Sequence, residues 1–229
     1  MDLLAFAVRI IKAVPEVIPH LDGAYKTYDY FLAQIEGLVR GVYEGNVGGN
    51  FVDVFANLIS GQLWDAYSKA WEEEGDGGEL PEYLVTSYDA EVLAQYDFVD
   101  QFYRDIVDAR IDGTPLEPLL ARAGLWANQY NAAYETARLL INTQNGGNLI
   151  WRKGNTEHGC STCANLDGIC AWASEWEELD VHPRGYPNSK LQCEGGGPAN
   201  FCDCTLEPTD QRRSPGAYGR IESIILETA

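Results

Sequence analysis

All six cysteines of this chain fall between Cys160 and Cys204, and residues 1–159 contain none. Cys160-Ser-Thr-Cys163 is a C-x2-C knuckle, and Cys193 with Cys202-Asp-Cys204 forms a second group. Two thiolates on a tight turn can grip one tetrahedral ion, and a second pair elsewhere can close the shell. In a reducing compartment such a cluster reads as metal ligands; in a secreted protein it would read as disulfides. The gap from Cys163 to Cys193 holds 29 residues. That is long but feasible for a zinc-stapled loop, and Gly195, Gly196 and Gly197 let the chain fold back. The candidate ligands of a structural zinc ion are therefore Cys160, Cys163, Cys193, Cys202 and Cys204. Cys160, Cys163 and Cys204 come first, and the fourth is Cys202 or Cys193, because one sulfur of a C-x-C pair can point away.

Other residues compete for the same role. Cys170, in Asp167-Gly-Ile-Cys170, reads as a small buried side chain rather than a ligand. His158 lies beside the first knuckle and His182 precedes a proline, and each is an alternative ligand. Catalytic zinc is not indicated: there is no H-E-x-x-H, and no H-x-E with a downstream P-C-x-x-C. Four thiolates would leave the metal no open position for water. The carboxylates Glu157, Glu175, Glu177, Glu178 and Asp180 read as a solvated face rather than an acid/base pair. The expectation is a protein that is not an enzyme.

The elements that must carry this module read as helices. Residues 24–43 place Phe31, Leu32, Ile35, Leu38, Val39 and Val42 at helical spacing. A second helix is expected over Phe51–Glu74, a third over Ala90–Ile111, and a fourth that runs to about Thr143. Thr114, Pro115 and Glu117 read as the capping box of the fourth. Past Ile150 periodicity fades, except for a short helix at Glu175–Leu179 with Ser174 as its cap. The expected fold is mainly α: an acidic multi-helix domain over 1–148, then a small, loop-rich, Cys-dense zinc-binding module over 149–209 with little regular structure. A C-terminal tail follows over 210–229, in which Arg220–Leu226 is a strand or helix that docks on a partner or on the domain itself.

The formal charge is −19, from 35 acidic and 16 basic residues. Nucleic-acid binding needs Lys and Arg to displace counterions, so direct binding is disfavoured. The acidic surface serves solubility, or it meets a basic partner. No stretch is apolar and long enough to span a bilayer. The opening residues MDLLAFAVRIIKAV lack the basic start and the cleavage site of a secretory signal, which points to an intracellular protein or one that acts where it is assembled.

The run from Trp151 through Cys160-Ser-Thr-Cys163 to Leu166-Asp167-Gly168 resembles the C-terminal signature of phage Mu F-like head morphogenesis proteins, the minor head or minor capsid proteins. Leu191-Gln-Cys193 and Cys202-Asp-Cys204-Thr-Leu206-Glu-Pro208 resemble its closing part, and Trp126 to Tyr134 resembles the helix before it. The likeness covers about residues 120–213. Many members have His-Pro just before the closing C-x-C; here Gly197-Pro198-Ala199-Asn200-Phe201 stands there. The resemblance implies a bacteriophage virion protein with a structural or assembly role in head morphogenesis, genome packaging or ejection. It implies assembly in the host cytoplasm and partners among capsid, portal or other virion proteins, with a homo-oligomer left open. The alternatives from other classes are a zinc-ribbon nucleic-acid-binding protein and a zinc hydrolase.

Overall fold

A computed structural model describes residues 27–47, 50–154, 161–183 and 204–228. Among them the chain is mainly helical. Four long helices come first: α1 (Tyr28–Glu44), α2 (Phe51–Glu74), α3 (Glu82–Asp112) and α4 (Glu117–Gln144). Then follow β1 (Asn148–Arg152), α5 (Ser161–Leu166), β2 (Cys170–Trp172), α6 (Ala173–Glu178), β3 (Thr205–Pro208) and α7 (Ala217–Thr228). The chain forms two compact units. One takes the chain up to Asp65 together with Tyr88–Ala127; the other takes Ala66–Ser87 and the chain from Asn128 onward.

The first unit is built from helix faces. Phe51, Phe55, Ile59 and Leu63 recur every fourth residue along α2, and all four are fully buried. Such a stripe packs only against other apolar faces. Phe31, Ile35, Val39 and Val42 of α1, and Val92, Val99, Phe102 and Ile106 of α3, supply them. Phe55 is the hub. It meets Trp126 edge-on at 5.2 Å and Phe102 at 5.8 Å, and it stacks on Phe51 at 5.1 Å. Each fully buried ring of this kind contributes about 1.5–3 kcal/mol. Polar side chains also tie the helices together: Gln62 Nε2 donates to the Trp126 and Ala127 carbonyls, and Ser60 Oγ lies 2.6 Å from the Tyr88 hydroxyl. Burial pushes the Tyr96 phenol up to about 12, and its hydroxyl donates to the Ala56 carbonyl.

Two helix starts differ from the sequence reading. The third helix begins at Glu82 rather than Ala90, because the Leu84 and Val85 N–H groups find the Pro81 carbonyl. The capping box at Thr114 does not form, and α4 begins at Glu117. Thr114 instead closes α3: its N–H donates to the Ala109 carbonyl across Gly113, whose φ of +69° suits glycine. Its carbonyl then accepts the Tyr43 hydroxyl.

The second unit holds the C-terminal region, and here the expectation of little regular structure is corrected. At the end of α4 the Gly147 N–H donates to the Asn142 carbonyl, which reverses the chain into β1. β1 is the central strand of a three-stranded antiparallel sheet in the order β2-β1-β3. Ile150 pairs with Cys170 on one side, and Trp151 pairs with Leu206 on the other. The short helix starts at Ala173 rather than Glu175, and Glu175 rather than Glu177 accepts the N–H of its preceding residue, Trp172. The C-terminal tail is helix α7, whose Ala217, Ile221 and Ile225 lie in the same apolar core as Leu139, Leu149, Trp151 and Trp176. No helix among the described residues is long and apolar enough to cross a membrane.

Candidate metal centre

Of the five candidate ligands, Cys163 and Cys204 are described; Cys160, Cys193 and Cys202, and the alternative ligand His158, lie outside the described residues. Cys163 and Cys204 stand 41 positions apart in sequence, yet both are buried in the same core cluster. Alternation explains Cys204. Leu206 pairs with the fully buried Trp151, and side chains two apart on an extended chain share a face. Helix α5 supplies Cys163, with Thr162 and Leu166 buried on the same helix.

The residues between the knuckle and β2 form a lock. The Gly168 N–H donates to the Trp151 carbonyl at 2.9 Å, and the Trp151 N–H donates to the Ile169 carbonyl at 3.0 Å. The Asp167 carboxylate accepts the Lys153 N–H at 2.9 Å. Gly168 has φ of +77°, a conformation that would strain any residue with a Cβ. Leu-Asp-Gly therefore acts as a clasp that ties α5 to β1. The Trp176 indole lies against Trp151 at 5.6 Å and donates to the Leu149 carbonyl.

The donor chemistry fits a thiophilic ion. The Gly154 N–H donates to Cys204 Sγ at 3.5 Å, the kind of contact that stabilises a thiolate. The Trp151 indole N–H and the Thr162 hydroxyl are buried in this region with no hydrogen-bond partner among the described residues. Soft sulfur ligands favour zinc over hard cations such as calcium or magnesium. Among the described residues no three His, Cys, Asp or Glu side chains converge to hold an ion. His182 is buried beside the core residue Val181, and burial lowers its pKa, but it does not join Cys163 and Cys204 in such a group.

Cys170 sits on β2, buried, and its thiol donates to the Gln211 carbonyl while burial raises its pKa. Glu175 was expected on a solvated face and is not there: it is 8% exposed and takes a two-pronged bond from Arg213. That bond, helped by the Trp172 N–H and opposed by burial, holds its carboxyl below the usual range. Arg213 also lies over the Trp172 ring. The start of the C-terminal tail, residues 210–214, is thereby pinned to β2, where Ser214 bonds both the Cys170 carbonyl and its N–H. Sequence reasoning missed this pairing because Glu175 and Arg213 lie 38 positions apart.

An open cleft of about 780 Å³ lies at the other end of β1, lined by Asn142, Asn148, Pro208 and Asp210 among others. β1 pairs with Thr205, next to Cys204, at Arg152, and with Pro208 at Leu149, so the cleft and the cysteines occupy opposite ends of the sheet. No protein-family model, no curated protein and no solved structure matches this chain.

Proposed function

We propose that this chain is a non-enzymatic bacteriophage minor head or capsid protein whose C-terminal module is stapled by structural zinc. The observation that carries the reading is the clustering of the signature residues: Trp151, Cys163, Leu166, Cys204 and Leu206 belong to one core. The Leu166-Asp167-Gly168 segment serves that core as a backbone clasp. Cys163 and Cys204 hold the ion together with Cys160 and with Cys202 or Cys193. The ion supplies a cross-link between the knuckle and the start of β3, and a shell of four thiolates leaves it no position for substrate or water. Capsid or portal proteins are the partners, and the acidic helical surface faces a basic counterpart on them.

Two measurements test the reading. Mass spectrometry of the purified protein should find zinc in a one-to-one ratio with the chain; a metal-free protein that keeps its fold refutes the staple. Purified virions should contain the chain alongside portal and major capsid protein. A phage that lacks the gene yet assembles and infects normally refutes the assembly role.

A further inference from the structure

Two carboxamides line the cleft at the end of β1 away from the cysteines, and the orientation of each is fixed. Asn142 Nδ2 donates to the Glu74 carboxylate at 2.6 Å and to the Arg138 carbonyl at 2.9 Å. Asn148 Nδ2 donates to the Gln211 carbonyl at 3.1 Å. Carbonyl and carboxylate oxygens only accept, so the remaining end of each side chain is Oδ1. Asn142 is 9% exposed, and its Oδ1 accepts no hydrogen bond among the described residues. Asn148 Oδ1 is buried, also with no partner among the described residues. Two acceptors held in this way are matched by a ligand that donates. Gly147 keeps the approach to the first of them open. Its φ is not positive, so the backbone does not demand glycine here. Space does: a Cβ at this position would stand 3.2 Å from Asn142 Oδ1. The wall is also acidic. Asp210 lines the cleft, and none of the described residues that line it is basic. Behind Asn142, one guanidinium, that of Arg138, is shared by the carboxylates of Glu74 and Glu135.

We infer that this cleft binds a guanidinium group, the arginine side chain of another polypeptide. A planar fork of five donors serves amide oxygens and a carboxylate at once, and it sheds water more readily than an ammonium does. The cleft is open on one side, which suits a side chain that projects from a larger molecule. Pro208 stands on the edge strand β3 and has no N–H, so an added strand is not the way the polypeptide docks. Asp210 is the one carboxylate among the described lining residues, too few for a hard divalent cation that takes about six to eight oxygens. The site lies at the opposite end of the sheet from Cys204 and does not depend on a metal there.

Titration of the full, nitrogen-15-labelled chain with N-acetyl-arginine N-methylamide, followed by NMR, tests the site. Salt at about 0.15 M screens diffuse attraction to the acidic surface. Saturable shifts of the Gly147 amide and of the Asn142 and Asn148 side-chain amides support the inference. Gly147→Ala should abolish them. Asp210→Asn, an exposed change that leaves the fold alone, should weaken binding by about fivefold. The citrulline analogue has the same shape without the charge and should not bind. The inference is overturned by the absence of saturable shifts at these three residues, by equal binding of the citrulline analogue, or by binding that both substitutions leave unchanged. Free arginine brings its own carboxylate toward Asp210 and should bind more weakly than the capped probe. Tighter binding of free arginine overturns the polypeptide source.

Discussion

The helical core around Phe55 and the cysteine-bearing core around Trp151 are held by different means. The first packs the apolar stripes of long helices, and its ring contacts Phe55–Phe102 and Phe55–Trp126 join residues as far apart in the chain as those of the second. The second joins segments far apart in the chain: Trp151 pairs with Leu206, and Gly154 reaches Cys204 across 50 positions. Both cores close long loops, but the second does so with strands of three to five residues and helices of six, and small elements of this kind gain most from a cross-link. The proposed metal staple would serve the second core for that reason, and residues 1–159 contain no cysteine to offer one to the first.

The sharpest break in the comparison comes from the metal ligands. Cys163→Ser, or Cys160→Ser, should unfold the C-terminal region, since structural zinc contributes on the order of 10 kcal/mol. Limited proteolysis should then cut between about 150 and 205 while the helices around Phe55 survive. Equal protection in variant and wild type would show that no staple operates. The converse substitution, Trp126→Ala, should cost the first unit about 3–5 kcal/mol, because it leaves a cavity beside Phe55 and Phe102. Urea unfolding measures that loss, and the zinc content of the folded variant should stay at the wild-type ratio.

The same contrast governs what could be read from the sequence. Helix α2 was legible to its ends, because Phe51, Phe55, Ile59 and Leu63 mark one face and glycines flank both sides. The start of α4 was not: Thr114 has the chemistry of a helix cap, but Gly113 before it lets it terminate α3 instead. Strand β1 escaped notice because Leu149, Ile150 and Trp151 are all buried, so no alternation betrays it. The cysteine spacing singled out Cys163 and Cys204 without locating them. Their shared core depends on the pairing of β1 with β3, which no local pattern encodes. Around them, Leu166-Asp167-Gly168 was visible as a motif, but neither its bond to the Lys153 N–H nor the packing of Trp176 on Trp151 was.

A smaller effect separates the clasp from the metal. Gly168→Ala should destabilise the C-terminal region by about 1–2 kcal/mol, through the positive φ alone. Space is not the obstacle, since a Cβ there would meet nothing within 4 Å. Asp167→Ala leaves the Lys153 N–H without its acceptor and should weaken the same element. Thermal melts of the zinc-loaded variants would rank them between the wild type and Cys163→Ser. A Gly168→Ala melt equal to that of the wild type would remove the clasp from the account.

The mildest perturbation is pH, acting on the bond between Glu175 and Arg213. The folded carboxyl is held below its ordinary value of 4.5, first by Arg213 and then by the Trp172 N–H. Its contribution to stability is therefore complete above the ordinary value, and it is lost as pH falls through the lower, folded value. Glu175→Gln keeps the shape and removes the charge, so the variant should melt earlier than the wild type at neutral pH. The gap should narrow as pH drops below about 4.5. Acid would also protonate the thiolates of the proposed zinc site, but in both proteins alike, so the difference between their melting curves isolates the ion pair. The absence of any gap at neutral pH would mean that Arg213 holds the start of the tail through the Trp172 ring rather than through the carboxylate.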